Sequence, residues 1–244
     1  MSYTIAMRVL VVGGSDDYVG APYLAAVAAL RSGSESVIVM APEKVAWAIN
    51  CLSPDIMTRK LSGSHLAHRH LAAIHKLLQT ADILLLGNGT GVHPESASLM
   101  RELMKWDGLK VIDADAIKAL RGNDIKHSII TPNEREWKLL DKNSDVEKLL
   151  VHNVIVKKGM RTSILGRSKN YALTPNRGLT KAGSGDVLAG LCAGYLAQGM
   201  HLFSAAQNAC KTGTLVADVL TKKKKGYYFL ASDLVEEIQK APKK

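Results

Sequence analysis

The amino-acid sequence predicts a single α/β domain over residues 1–244, a mostly parallel central sheet with helices on both faces. Three observations predict it. Strand-like and helix-like segments alternate, with strands recurring about every 25–35 residues, as βαβ units require. The composition is 47% hydrophobic but only 5% aromatic, and its Ala, Leu, Val and Gly suit helices packed on a buried parallel sheet. The strands end in glycines and acids, and ligands of open α/β sheets bind beyond the carboxyl ends of strands.

Taken in order, "MRVLVVGG" is a β-rich apolar run closed by Gly13-Gly14, and "GAPYLAAVAALRSG" is an Ala-rich helix stopped at Gly33. "ESVIVMAP" is a short strand, "SHLAHRHLAAIHKLLQT" a helix, and "ADILLLGNGTG" a strand running into a glycine loop. "SASLMRELMKWDG" is a helix closed by Gly108, followed by strands in "LKVIDADAI", "KHSIITPNE", "HNVIVKKG" and "RTSILGRSKNYALT", with a helical "REWKLLDK" among them. The last third is mostly helix. No linker, repeat or low-complexity stretch interrupts this pattern. The strand ends carry Gly13-Gly14-Ser15, Gly87 to Gly91, Asp113 with Asp115, Thr131-Pro132-Asn133 with Glu136, and Lys158-Gly159. Neither a Walker-type loop nor a complete GxGxxG fingerprint is present, which excludes the usual P-loop and Rossmann readings.

The stretch Thr180 to Gly199, "TKAGSGDVLAGLCAGYLAQG", places Gly183-Ser184-Gly185 before a lone carboxylate, Asp186, and then a helical apolar face. A helix N-terminus with free N–H groups binds anions. A carboxylate there opposes phosphate, so Asp186 either takes a proton from a group beside that phosphate or caps the helix.

The formal net charge is +10. The dense run Lys222 to Lys225 lacks interleaved aromatics and reads as a solvated loop, so no nucleic-acid partner is expected. No apolar run reaches membrane-spanning length and the start "MSYTIAMRVLVVGG" shows no leader; no membrane partner is expected, and a cytoplasmic protein is. Cys51, Cys192 and Cys210 read as reduced core thiols. His68, His70 and His75 share one predicted helix and lack the framework of a metal site.

The segments "GAPYLAAVAAL", "GNGTG", "DADAI", "TPNERE", "VKKG" and "NRGLTKAGSGDVLAG" resemble, in order, the motifs of the ribokinase-like superfamily, and within it the NAD(P)H-hydrate dehydratase family. The resemblance runs from Met7 to Ile238. Two positions depart from it: the family's usual His is Asn133 and its Gly is Arg135, giving an Asn-x-x-Glu pattern similar to ribokinase-like sugar kinases, in which the acid helps place magnesium.

The resemblance implies a ribokinase-like fold and an ADP- or ATP-dependent lyase with Mg2+. Phosphoryl passes to the hydroxyl of the S-epimer of NADH or NADPH hydrate, and phosphate is then eliminated. It implies Asp186 as base, also touching substrate; Lys158, Gly159, Gly183, Ser184 and Gly185 as nucleotide contacts; and Ala21, Gly89, Gly91 and Asn133 around the hydrate. Asp113, Asp115 and Glu136 are magnesium candidates, Lys158 also reads as a strand-end lysine, and Gly89 and Gly91 also read as a plain turn. The implied partners are the hydrate, further copies of the chain in a homo-oligomer and a separate NAD(P)H-hydrate epimerase. Two alternatives stand beside this: a small-molecule kinase of the same fold using ATP and Mg2+, and a nucleotide-binding protein without catalysis.

Overall fold

Every residue from Val9 to Val12 is apolar, and with Arg8 they form the first strand, β1 (Arg8–Val12), of a computed structural model that describes residues 7–240. Residues 1–6, on which the expectation of no leader partly rests, lie outside the described residues. The elements then follow as α1 (Gly20–Arg31), β2 (Ser36–Pro42), α2 (Glu43–Leu52), β3 (Met57–Leu61), α3 (Leu71–Leu78), β4 (Ile83–Leu86) and α4 (Pro94–Met104). Next are β5 (Leu109–Ile112), α5 (Asp115–Ala119), β6 (Ser128–Ile130), α6 (Glu134–Asn143), α7 (Val146–Leu150) and β7 (Val154–Lys157). The chain continues through β8 (Thr162–Leu165), β9 (Asn170–Leu173), α8 (Ser184–Ala197), α9 (Leu202–Lys223) and α10 (Ala231–Ile238).

The strands build one nine-stranded sheet in the order β3-β2-β1-β4-β5-β6-β7-β8-β9. Pairs from β3 to β7 are parallel, while β7–β8 and β8–β9 are antiparallel. The antiparallel edge arises because only the short segment "GRSK" separates β8 from β9, too little for a crossover helix. Side chains alternate across the sheet. Val9 and Val11 of β1 point into one apolar layer with α1, α2, α8, α9 and α10, and Leu10 and Val12 into the other with α3 to α7. Helices therefore cover both faces, as predicted.

The chain order turns at β1, with β2 and β3 added on one side and β4 onward on the other. That reversal opens a crevice beyond the ends of β1 and β4, where Gly13, Gly14 and Asn88 lie. Helix α8 is held above it by close packing on α1. A Cβ on Gly190 would stand 2.2 Å from the Ala25 carbonyl oxygen, and one on Gly194 1.9 Å from Ser32 Oγ. Overpacking of that kind costs about 1–3 kcal/mol or more, so the two glycines fix how deeply the start of α8 reaches toward the strand ends.

Several expectations change. The helix predicted from Ser64 to Thr80 is interrupted: a 3-10 turn, His68–His70, precedes α3. His70 is buried because Nδ1 accepts the Ala67 N–H at 3.1 Å and Nε2 lies 3.0 Å from the Ser62 carbonyl. Burial lowers its pKa. Cys51 is exposed, contrary to expectation, whereas Cys192 and Cys210 are buried free thiols. The lysine run is only partly a loop: α9 continues through Lys223, Lys224 and Lys225 form the exposed turn after it, and Lys223 and Lys224 pair with Glu237 and Asp233 of α10. Among the described residues no helix is long and apolar enough to cross a membrane.

Candidate active site

The loop before α8 is shaped by a residue that must be glycine. Gly183 adopts φ +85°, and a Cβ there would lie 2.8 Å from both Ala231 Cβ and Leu24 Cδ1. In this left-handed conformation it starts α8 with no side-chain cap. Of the three small residues expected to present N–H groups, Ser184 does not: its N–H donates to the Lys181 carbonyl at 3.2 Å. Its hydroxyl bridges the carbonyls of Leu179 (2.5 Å) and Lys181 (2.7 Å), so Ser184 ties the loop together. Among the described residues, the N–H groups of Gly183, Gly185 and Asp186 have no hydrogen-bond partner. They form the open positive end of the helix dipole.

Asp186, in the first turn of α8, is not a helix cap; its Oδ1 accepts from Asn88 Nδ2 at 2.7 Å. The same Nδ2 donates to Asp113 Oδ2 at 3.1 Å. Asp113, 2% exposed at the end of β5, also accepts from Thr131 Oγ1 (2.7 Å) and Lys158 Nζ (2.8 Å) through Oδ1. Four strand ends and one helix start thus converge on a connected polar group.

Its electrostatics follow from burial. Burial first, and then the neighbouring Asp113, push the Asp186 pKa up to about 7, against the opposing effects of the Asn88 hydrogen bond and Lys158. Burial disfavours the Lys158 charge, but Asp113 and Glu136 outweigh it and raise its pKa. Burial likewise raises the Glu136 pKa, opposed by Lys158 and the Asn133 N–H. A Cβ on Gly185 would lie 3.3 Å from Lys158 Nζ, so this glycine lets the ammonium approach the helix start.

A cavity of about 460 Å³ opens onto this group. It is lined by Lys158, Gly159, Asn133, Glu136, Asp186 and the Gly183–Gly185 loop, and by apolar side chains including Leu188, Val216 and Leu234. That combination of polar and apolar lining suits a ligand with a charged tail and a flat apolar head.

Ala21, Gly89 and Gly91 do not line this cavity but gather around the loop that carries Asn88. A Cβ on Gly89 would meet Tyr18 Cβ at 2.7 Å and Ala21 Cβ at 3.1 Å. Gly91 donates its N–H to Asp115 Oδ2 at 2.8 Å, and Asp115 Oδ1 accepts from Lys118 Nζ at 2.6 Å. Asp115, read from sequence as a magnesium candidate, is occupied in fastening the glycine loop. Asn133 and Glu136 form a capping box: Asn133 Oδ1 accepts the N–H groups of Arg135 (2.9 Å) and Glu136 (3.0 Å), and Glu136 Oε2 accepts the Asn133 N–H (2.9 Å). The Asn-x-x-Glu spacing is therefore accounted for by helix α6 itself. Sequence reasoning did not single out Asn88, which sits inconspicuously within a glycine loop, nor Thr131.

A family model described as NAD(P)H-hydrate dehydratase matches residues 9–240. The chain is 36% identical over 238 residues to the bifunctional NAD(P)H-hydrate repair enzyme Nnr of Methanocaldococcus jannaschii, covering 95% of this chain and 47% of that protein. It is 34% identical over 248 residues to the enzyme of the same name from Pyrobaculum aerophilum, covering 95% and 49%. The chain thus spans about half the length of the curated relatives it matches. Among solved structures, a ribokinase-like superfamily protein from Enterococcus faecalis superposes with a TM-score of 0.81 at 22% identity, covering 96% of this chain and 86% of that one. The Bacillus subtilis ADP/ATP-dependent NAD(P)H-hydrate dehydratase, co-crystallized with ATP/Mg2+, superposes with a TM-score of 0.76 at 23% identity, covering 96% and 89%. These likenesses establish a ribokinase-like fold, and the match across residues 9–240 places the chain in the NAD(P)H-hydrate dehydratase family.

Proposed function

We propose that this chain carries out the nucleotide-dependent dehydration of the S-epimer of NADH or NADPH hydrate, with ADP or ATP as phosphoryl donor. One observation carries the proposal: a half-buried carboxyl, Asp186, whose pKa burial and Asp113 push up to about 7, stands beside three N–H groups without partners among the described residues at a helix start. A plain phosphate site gains nothing from that carboxyl, whereas phosphoryl transfer to an alcohol needs a base within reach of the hydroxyl.

In this reading the nucleotide's base packs against the apolar side chains of the cavity. Its terminal phosphate meets Lys158 and the N–H groups of Gly183, Gly185 and Asp186, while Gly159 lines the approach. Those donors are fixed before the reaction, so they stabilise the charge that develops on the phosphoryl oxygens without reorganising. Asp186 takes the proton from the hydrate hydroxyl, which approaches from the side of Ala21, Gly89 and Gly91. The hydroxyl oxygen accepts the terminal phosphoryl as the nucleotide leaves one phosphate shorter, and loss of that phosphate together with a proton from the neighbouring ring carbon restores the dihydropyridine. A positioned base of this kind contributes about 10²–10⁴-fold.

The donor set beside the phosphate end also suits a hard cation: the Glu136 carboxyl lines the cavity with its second oxygen outside the capping box. Glu136 is the residue that would hold magnesium there together with nucleotide phosphates, and the ion would neutralise their charge. In the same proposal the chain works as a homo-oligomer in the cytoplasm, and an NAD(P)H-hydrate epimerase activity supplies the reacting epimer. The alternative of a small-molecule kinase loses its main sequence support, because the Asn133–Glu136 pattern is a helix cap.

The decisive experiment is incubation with hydrated NADH and ADP or ATP plus magnesium, following the returning absorbance of the reduced nicotinamide. Recovery that depends on nucleotide supports the proposal. Nucleotide consumption on other alcohols with no recovery of NADH would favour a kinase instead.

A further inference from the structure

The Asn88 side chain is fully buried at the end of β4, and its backbone is pinned there because its carbonyl accepts the Gly14 N–H at 2.9 Å. Both hydrogens of its amide are directed at carboxyls, Asp186 Oδ1 at 2.7 Å and Asp113 Oδ2 at 3.1 Å. Its Oδ1 is buried and, among the described residues, has no partner. A flipped amide would set that oxygen against two carboxyls, so the orientation is dictated by them. Buried polar atoms are rarely left bare, and a packing role would favour an apolar residue here. The amide is kept for its two donors.

We infer that Asn88 is a positioning residue for the base. It holds one oxygen of Asp186 and leaves the other free for the substrate hydroxyl. By holding Asp113 with the same nitrogen, it keeps that carboxyl turned toward Lys158 and away from Asp186. The groups that face Asp186 divide by sign. Asp113 beyond β5 and Asp115 on α5 oppose its ionisation, whereas Asn88 beyond β4 and Lys158 beyond β7 favour it. Glu136 on α6 acts on Lys158. Asn88 is the group that contacts Asp186 and Asp113 at once without carrying charge.

What the base acts on rests on the dehydratase reading, but the positioning can be measured without it. The test uses Asn88→Ala and two readouts. In the first, the Asp186 carboxyl is titrated by carbon NMR in nucleotide-free protein, with its resonance assigned by its absence in Asp186→Asn. Loss of a hydrogen bond to the charged form should raise the midpoint by about one pH unit or more. In the second, turnover of hydrated NADH is followed against pH. The acid limb should move up equally, and kcat should fall about 10–100-fold with KM little changed, as for a misplaced catalytic group. If wild-type protein does not process hydrated NADH, the dehydratase reading fails while the titration still decides the role of Asn88. Should Asn88→Ala not fold, Asn88→Ser replaces it and should move the midpoint in the same direction. An unmoved Asp186 midpoint in a folded variant would overturn the inference.

Discussion

Replacing Asp186 with asparagine exchanges a carboxylate for an amide of the same shape, so it separates the charge from everything else at that position. A free Asp titrates near 3.9, whereas Asp186 in the folded chain is pushed up to about 7, chiefly by burial. The folded state therefore binds the proton more tightly than the unfolded one. Stability falls as pH rises between those two values, and the full loss is present above about pH 7. Three pH units at 1.36 kcal/mol each make the ionised group cost roughly 4 kcal/mol at pH 8. Asparagine removes that cost but introduces a buried NH2 group whose pairing is incomplete, worth about 1–3 kcal/mol in the opposite direction. The expected balance is a gain of about 1–3 kcal/mol at pH 8, shrinking or reversing near pH 4.5. For a chain this long that means a rise of about 2–12 °C in melting temperature. Turnover with hydrated NADH should fall by at least ~10²–10⁴-fold, and nucleotide affinity by calorimetry should hold or improve, since a charge beside bound phosphate is gone. Undiminished turnover would refute Asp186 as base. A variant less stable than wild type at pH 8 would refute the argument that its burial is held against a folding penalty.

Gly183→Ala should abolish nucleotide-induced stabilisation in a melting assay and lower stability by about 2–4 kcal/mol, because a left-handed conformation and two 2.8 Å contacts both oppose a methyl group. Asn133→Ala should cost about 1 kcal/mol through loss of the α6 cap, while Asn133→Asp, which caps equally well, should melt like wild type. Glu136→Gln should raise the magnesium concentration needed for half-maximal turnover; an unchanged requirement would remove Glu136 from the metal's surroundings. Nucleotide binding without magnesium near pH 7.5 should take up protons, because the added anion raises the Asp186 pKa further; calorimetry in buffers of different ionisation enthalpy measures the uptake, and proton release would contradict it.

How much of this was legible in sequence differs residue by residue. The start of α8 was visible because glycines before an apolar helical face leave N–H groups free, and the strand ends were visible because parallel topology sends them to one edge. Ser184 was misassigned as a phosphate donor, since its neighbours in the loop take up its N–H and hydroxyl. The Asn-x-x-Glu pattern of Asn133 and Glu136 resembled that of sugar kinases because a capping box has the same spacing. Asp115 was hidden for the opposite reason: its partner Gly91 lies on another strand end, and no local pattern announces a contact across β4 and β5. Asn88 left no signal, because a side chain between two glycines looks like turn chemistry until the fold brings Asp113 and Asp186 to its two hydrogens. The fold was readable from periodicity, while the long-range hydrogen bonds of the site were not.

The charges of the site point to one further step. Three carboxyls, Asp113, Glu136 and Asp186, stand within reach of a half-buried ammonium, Lys158. Such a group is not built for stability: carboxyls beyond the first need neutral donors to hold them, and burial raises the Glu136 pKa against the opposing effects of Lys158 and the Asn133 N–H. Asn88 and Thr131 supply such donors for Asp113 and Asp186. In the proposed reaction this arrangement would keep Asp186 near neutrality, ready to ionise when an incoming cation lowers the surrounding negative potential. A nucleotide alone would add negative charge and hold the proton on Asp186, whereas a nucleotide arriving with its metal would not. That balance would depend on the neutral amide of Asn88 as much as on the charged residues around it.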